Sequence, residues 1–299
     1  MNTPLLDSSL LAMLDGRDLN IRAQMAGFFG GNRRAKTYGS SAEFADYREY
    51  QPGDDLRRVD WNLYGRTDQL YLKQFVDERR QHHRFLIDCS ASMDWGNPNK
   101  LRYAFQLALA LGYLAVGSMD VTSFHALQGR RCIPLSEKLH SRDQLLLLSA
   151  GWTQLQGRDD TVLDAAVQAC PDAGHGDGIT FLISDLLTES DWKNAVDLLL
   201  EKKQEVCILR TVSRDEMSPS LTGKLLLHDA EAAHSDDRRI LRMDMSRQRM
   251  KAYAEACAWL ENDIRTFCAS RNVRLMQLCT DEPVSQALFH QGIESELVL

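Results

Sequence analysis

The sequence has few of the features that mark membrane, secreted or nucleic-acid-binding proteins. No apolar run approaches the roughly 18 residues that a membrane-spanning helix needs. The first twenty residues lack the basic start and long apolar core of a signal peptide. The net charge of the 299 residues is −7, which argues against general affinity for nucleic acid. We therefore expect a cytoplasmic protein with no nucleic-acid binding and no direct membrane insertion.

Cysteine is scarce and irregularly placed. The seven cysteines include no C-x-x-C pair, the spacing found in many zinc sites and redox motifs. Their odd number and scattered positions predict reduced thiols rather than disulfide bonds, which also favours the cytosol. We expect most of them to act as small core residues.

The stretch at residues 84–93, RFLIDCSASM, has the clearest chemical pattern in the chain. Its apolar run at 85–87 is typical of a buried strand in a parallel sheet. Asp88, Ser90 and Ser92 follow at intervals of two, so their side chains can point to one side. Carboxylate and hydroxyl oxygens at the carboxyl end of a strand suit Mg²⁺ better than zinc. The alternative is that these residues only form a turn or cap the next helix.

Residues 178–187 repeat this layout, with an apolar run that ends in Ser184 and Asp185. A second carboxylate at a second strand end is what a metal site between two strands needs. Thr161 lies at the start of a predicted helix, where a threonine is most often a cap. It can also place a hydroxyl near the metal, and Thr153 is a weaker candidate for that role.

Strand and helix patterns alternate from residue 82 onward, which predicts an α/β fold with a mainly parallel sheet and helices on both faces. We assign 82–299 to this domain and 1–81 to a smaller N-terminal helical and β lobe. The predicted helices are 100–117, 141–152, 191–204 and 246–272. The predicted strands are 121–126, 130–135, 178–187, 205–212 and 273–281, with a hairpin at 223–244.

The lobe carries a segment at 38–79 that mixes aromatic and charged residues. Its PGDD sequence at 52–55 is a strong turn signal, and the alternation at 59–61 and 70–75 predicts strands. The charges are too mixed in sign for a nucleic-acid patch, which leaves a structured ion-pair network or a solvated face. The charged residues are Arg48, Asp54, Asp55, Arg57, Arg58, Asp60 and Arg66.

The segment EFADYREYQPGDDLRRVDWNLYGR, followed by LIDCSASM, resembles domain-of-unknown-function family 58, whose members contain a von Willebrand factor A-like domain. The lobe positions that match its pattern include Arg48, Asp54, Asp55, Arg57, Asp60 and Trp61. The resemblance implies a von Willebrand A-like, Rossmann-like fold with a metal-ion-dependent adhesion site. The implied ligands of Mg²⁺ (or Mn²⁺ or Ca²⁺) are Asp88, Ser90, Ser92, Thr161 and Asp185.

The resemblance also implies partners. In such sites an acidic group of a partner protein often completes the coordination of the ion. Family members are commonly associated with MoxR-type AAA+ ATPases in the maturation or assembly of other proteins. The chain departs from the family pattern in several places. Among them, GRDDT lacks the usual glycine just before Thr161, residues 213–216 replace an Asp-Pro-x-Glu-like segment, and Gly65-Arg66 stands where the family more often has Ala-Arg.

Three functions are compatible with these residues. The leading hypothesis is a non-enzymatic, metal-dependent interaction adaptor for a AAA+ ATPase or its client. The second is an Mg²⁺-dependent hydrolase or phosphotransferase that uses Ser90, although no histidine is placed as an obvious general base. The third is an interaction module in which the metal site is vestigial and the lobe makes the contact.

Overall fold

The computed structural model describes residues 4–16, 38–52, 54–76, 81–158, 160–170, 178–202, 204–219, 223–228 and 240–288. The helices are α1 (Ser8–Gly16), α2 (Trp61–Thr67), α3 (Lys100–Gly117), α4 (Arg142–Gly151), α5 (Leu163–Gln168), α6 (Trp192–Glu201), α7 (Arg214–Met217) and α8 (Arg247–Ser270). The strands are β1 (Tyr38–Glu49), β2 (Tyr71–Val76), β3 (His82–Asp88), β4 (Val121–Gln128), β5 (Arg131–Pro134), β6 (Ile179–Ser184), β7 (Glu205–Val212), β8 (Gly223–His228), β9 (Ile240–Met245) and β10 (Arg274–Cys279).

The chain forms two compact units, one of residues 30–80 and one of residues 1–29 and 81–299. The larger unit contains a six-stranded sheet in the order β10-β7-β6-β3-β4-β5. Every neighbouring pair in it is parallel except β4 and β5, which form a hairpin at one edge. A separate antiparallel hairpin joins β8 to β9.

The sheet is covered by helices on both faces. Phe85 and Ile87 of β3 belong to a core that includes α1, α3 and α4, whereas Leu86 between them belongs to a second core with α5, α6 and α8. This alternation follows from the period of two in a strand. On the first face the ring of Phe85 stacks between those of Phe124 and Phe181, at 4.9 and 4.8 Å. The predicted α/β class, with a mainly parallel sheet between helices, is confirmed.

The N-terminal helix belongs to the larger unit and not to a lobe of residues 1–81. The buried side chains of this segment are Leu5, Leu6, Leu10 and Leu14, and they join the α3 and α4 core. Asp15 accepts hydrogen bonds from the Tyr113 hydroxyl at 3.0 Å and from Arg142 at 2.8 Å. The predicted boundary is therefore wrong for residues 4–16, because their apolar face is buried against helices that follow residue 100.

Two cysteines form a disulfide bond, which corrects the prediction that all thiols are reduced. Cys132 in β5 is bonded to Cys170 just beyond α5, with their Cα atoms 5.1 Å apart. The remaining five cysteines in the described chain are free. Because the two partners are separated by 38 positions, spacing alone did not identify them. The cysteines therefore no longer favour a reducing compartment.

Reduction of this disulfide is expected to lower the free energy of unfolding by about 4 kcal/mol, because the bond restricts a loop of nearly forty residues in the unfolded chain. Urea denaturation with and without dithiothreitol measures the loss. The matched control is the Cys132→Ser, Cys170→Ser double variant, whose midpoint should not respond to the reductant. Equal midpoints for the oxidised and reduced wild-type protein would contradict the prediction.

Helix α8 confirms the long helix predicted at 246–272. Only Ile264 and Cys268 are buried in it, and Trp259 is 69% exposed. Its first half thus has a largely solvated surface. Within the residues described, no helix combines the length and the apolar character needed to cross a membrane.

In the smaller unit, β1 and β2 form an antiparallel pair. The strand predicted at 59–61 is wrong. Val59 makes a single bridge to Leu72, and helix α2 begins at Trp61. The reason is local, since the Asp60 carboxylate accepts hydrogen bonds from the backbone amides of Asn62 and Leu63. This N-cap stabilises the start of a helix. The apolar–polar alternation at 59–61 covers only three residues and is too short to outweigh it.

Candidate metal-binding site

The strand order places the candidate site at the topological switch point of the sheet, between β3 and β6. From β3 the chain continues outward to β4 on one side, whereas β6 lies on the other side of β3 and leads to β7. Crevices outside the carboxyl ends of strands at such a switch point are the usual ligand sites of α/β sheets. Asp88 ends β3 and Asp185 directly follows β6. The structure therefore brings together the two carboxylates that lie almost a hundred residues apart.

Asp88 is buried, with 2% of its surface exposed. One carboxylate oxygen accepts a hydrogen bond from the Ser90 amide at 3.0 Å, and the other accepts one from the Ser184 hydroxyl at 2.7 Å. Burial, together with the charge of Asp185, raises the pKa of Asp88 to about 6. The hydrogen bond from the Ser90 amide forms the turn that was the alternative to a metal site. The carboxylate is nevertheless buried without a cationic partner among the described residues.

Three hydroxyl groups lie beside this carboxylate. The Oγ atoms of Ser90 and Ser92 are 3.0 Å apart, and the Thr161 hydroxyl lies close enough to Asp88 to lower its pKa. Thr161 is 1% exposed, and its carbonyl accepts a hydrogen bond from the Thr188 hydroxyl at 3.1 Å. It does not cap α5, whose N-cap is Val162. The Thr161 hydroxyl donates to the Leu127 carbonyl oxygen at the end of β4, at 3.4 Å, and does not serve the helix end.

Thr153, the weaker candidate, lies in the 3-10 turn Trp152–Gln154. Its side chain is outside the described residues.

Asp185 differs from Asp88 because its charge is already paired. The ammonium of Lys100 donates to Asp185 Oδ2 at 2.6 Å and to Glu216 Oε1 at 2.5 Å. The other oxygen of Asp185 accepts from the Leu187 amide at 2.9 Å. Neither Lys100 nor Glu216 was predicted as a site residue. A signal existed, since a lysine at the first position of a helix opposes the helix dipole and needs a negative partner.

Gly157 is a third residue that the sequence reasoning missed. A Cβ atom at this position would lie 2.3 Å from the Ser90 carbonyl oxygen and 2.8 Å from the Asp94 Cβ. The Gly157 amide donates to the Asp94 carboxylate at 3.0 Å, and the next amide, of Arg158, donates to the Cys89 carbonyl at 3.0 Å. The loop before Thr161 is thereby held directly against the loop after β3. The glycine expected immediately before Thr161 stands four positions earlier.

The donor set has the chemistry of a site for a hard cation. Asp88, Ser90, Ser92 and Thr161 offer oxygen atoms alone, which Mg²⁺ and Ca²⁺ prefer. In the described part of the chain no three histidine, cysteine, aspartate or glutamate side chains are grouped so that they alone hold a metal ion. Binding here would accordingly depend on hydroxyl oxygens and water beside one unpaired carboxylate. Such a set leaves room for an outside ligand.

The predicted lobe residues serve mainly local structure. Arg48 pairs with Asp54 at 2.7 Å, and Asp55 accepts from the Arg57 amide at 3.0 Å. Asp60 caps α2 and also accepts from the Tyr47 hydroxyl at 2.9 Å. Two further predicted residues are exposed at the start and the end of α2, namely Trp61 and Arg66.

The histidines near β3 have partners within the fold. His82 lies 2.8 Å from the Ser123 hydroxyl and His83 lies 2.9 Å from the Asp120 carboxylate. His125 is buried in β4, and His175, which the sequence placed in a glycine-rich loop, is outside the described residues. No observation on these residues adds support to the hydrolase hypothesis.

Comparison with known proteins agrees with the resemblance drawn from the sequence. The chain is 26% identical to the uncharacterised protein Rv1480 of Mycobacterium tuberculosis over 232 residues, which cover 76% of this chain and 72% of the relative. Protein Mb1516 of Mycobacterium bovis matches equally.

Among solved structures, an aerotolerance-related membrane protein of Bacteroides fragilis has 15% identity and a TM-score of 0.39, covering 72% of this chain and 99% of that one. The SpRpn10 VWA domain has 11% identity and a TM-score of 0.37, covering 70% and 94%. The fold assignment itself depends on the strand order. The family described as protein of unknown function DUF58 matches residues 46–258, and the chain belongs to that family.

Proposed function

We propose that this protein is an interaction module that binds its partners at the carboxyl edge of the central sheet through a divalent cation. The observation that carries this proposal is the buried Asp88 carboxylate, which has no ion-pair partner among the described residues and lies beside clustered hydroxyls at the switch point. Burial of an uncompensated charge is costly. A cation held by Asp88, Ser90, Ser92 and Thr161 removes that cost and presents an open coordination position to a partner carboxylate.

Exposed apolar side chains around this edge support a role in protein binding. Trp95, Leu187 and Met217 lie in the segments that follow β3, β6 and β7 and are 45%, 41% and 42% exposed. Leu155, in the loop that approaches Ser90, is 38% exposed. Large exposed apolar groups near a polar centre are typical of interaction surfaces. We therefore propose a protein partner with an acidic group, namely a MoxR-type AAA+ ATPase or its client.

Replacement of Asp88 by asparagine is expected to abolish binding of Mg²⁺ and Mn²⁺, because it removes the charged ligand while the shape of the side chain is kept. Titration calorimetry into EDTA-treated protein measures this. The matched control is Asp143→Asn, which changes an exposed aspartate in the first turn of α4 and should leave metal binding intact. Saturable binding by the Asp88→Asn variant with wild-type affinity would contradict the proposed site.

The partner is tested with a purified MoxR-type ATPase from the same organism as the probe. Binding should require Mg²⁺, disappear in EDTA and be lost in the Asp88→Asn variant. Binding that is indifferent to EDTA but lost on replacing Arg57 or Asp60 would instead place the contact on the smaller unit.

A further inference from the structure

The first residue of helix α3 is a lysine whose charge is completely buried. Lys100 has no exposed surface, and its ammonium contacts both Asp185 and Glu216. A cation is disfavoured at a helix N-terminus, because the aligned peptide dipoles place partial positive charge there. The two carboxylates therefore hold Lys100 against the field of its own helix.

The two aspartates of the candidate site differ in how their charge is compensated. Asp185 has the Lys100 ammonium at 2.6 Å. Asp88 accepts hydrogen bonds from the Ser90 amide and the Ser184 hydroxyl and has no cationic partner among the described residues. A divalent cation that enters the site thus meets one carboxylate without a counter-ion and one whose counter-ion is already in place.

We propose that Lys100 is a resident competitor for Asp185 and thereby keeps the affinity of the site for a divalent cation low. This inference rests on the proposed function. Because Asp185 is paired with Lys100, the cation depends on the Asp88 carboxylate and on neutral oxygens. A carboxylate of the partner protein then supplies the second negative charge. Cation and acidic partner then bind together, each raising the affinity for the other.

Glu216 makes this competition reversible. When a cation draws on Asp185, Lys100 keeps its second partner and is not left buried as a lone charge. Glu216 is fixed independently of Asp185, since its other carboxylate oxygen accepts from the Ser213 amide at 3.0 Å and its carbonyl accepts from the Tyr253 hydroxyl at 2.6 Å. The acceptor for Lys100 consequently stays in place in both states.

Two double variants that keep the net charge constant test the proposal, with Mn²⁺ as the probe. Lys100→Met, Glu216→Gln leaves Asp185 free and is expected to bind Mn²⁺ roughly tenfold or more tightly than wild type, because a second carboxylate becomes available at short range. Lys100→Met, Asp185→Asn removes both the competitor and the contested carboxylate, and should bind Mn²⁺ no more tightly than wild type. Calorimetry gives the affinities, and the rise of the thermal midpoint with Mn²⁺ gives an independent readout.

The outcomes separate this inference from the proposed function. If wild type and both double variants fail to bind Mn²⁺, the metal site itself is wrong and the inference falls with it. If wild type binds and the two double variants bind equally, the metal site stands but the competition by Lys100 is refuted. Tighter binding confined to the variant that frees Asp185 supports the proposal.

Discussion

Replacing Lys100 with methionine is expected to lower the free energy of unfolding by about 3–5 kcal/mol, because removal of one partner from a buried ion pair leaves the other charge uncompensated. Asp185 is 1% exposed and Lys100 is the only cationic side chain, among those described, that pairs with its carboxylate; the Arg210 guanidinium donates to its backbone carbonyl at 3.1 Å. Methionine keeps the length and apolar stem of the lysine, so the loss is attributable to the charge.

Urea denaturation of wild type and variant measures the change. The matched control is Lys251→Met, in which the lysine is 80% exposed and pairs with Glu255 one helical turn away at 3.7 Å. Such a surface pair contributes well under about 1 kcal/mol. A loss below about 1 kcal/mol for the Lys100 variant would show that Asp185 is not charged in the folded protein or finds another partner.

Replacing Gly157 with alanine is expected to weaken Mg²⁺ binding roughly 10- to 100-fold, the range found when groups that orient metal ligands are altered. The added methyl group would lie 2.3 Å from the Ser90 carbonyl oxygen, and a backbone atom cannot rotate away as a flexible side chain does. The loop that carries Ser90 and Ser92 must therefore shift relative to Thr161. Overpacking of this kind also costs about 1–3 kcal/mol of stability.

The matched control for Gly157 is Gly151→Ala at the end of α4, where an added Cβ meets no atom within 4 Å. Alanine is the better helix former, so this variant should be as stable as wild type or slightly more stable. Calorimetry with Mg²⁺ and urea denaturation are run on both proteins. Unchanged metal affinity in the Gly157 variant would show that the contact between the two loops does not position the candidate ligands.

Local sequence signals predicted the elements that depend on neighbouring residues. Ser141, at the start of the helix predicted at 141–152, caps α4 by accepting from the Gln144 amide. The apolar run that ends at Asp88 forms β3, in which every residue is buried. Hydrophobic period and capping chemistry act over a few residues, and a sequence reports them directly. The motif Asp88-x-Ser90-x-Ser92 belongs to the same class, because one loop carries all three side chains.

Tertiary structure decided the contacts that join distant parts of the chain. Lys100 meets Glu216 across 116 positions, and Gly157 meets Ser90 only because the sheet order brings their two loops to one edge. No periodicity encodes such pairs, since they depend on which strands become neighbours. The disulfide bond and the burial of α1 have the same origin. By itself the sequence determined the family, the α/β class and the candidate ligands. The packing of the sheet determined that Asp185 has a cationic partner, Lys100, whereas Asp88 has none among the described residues.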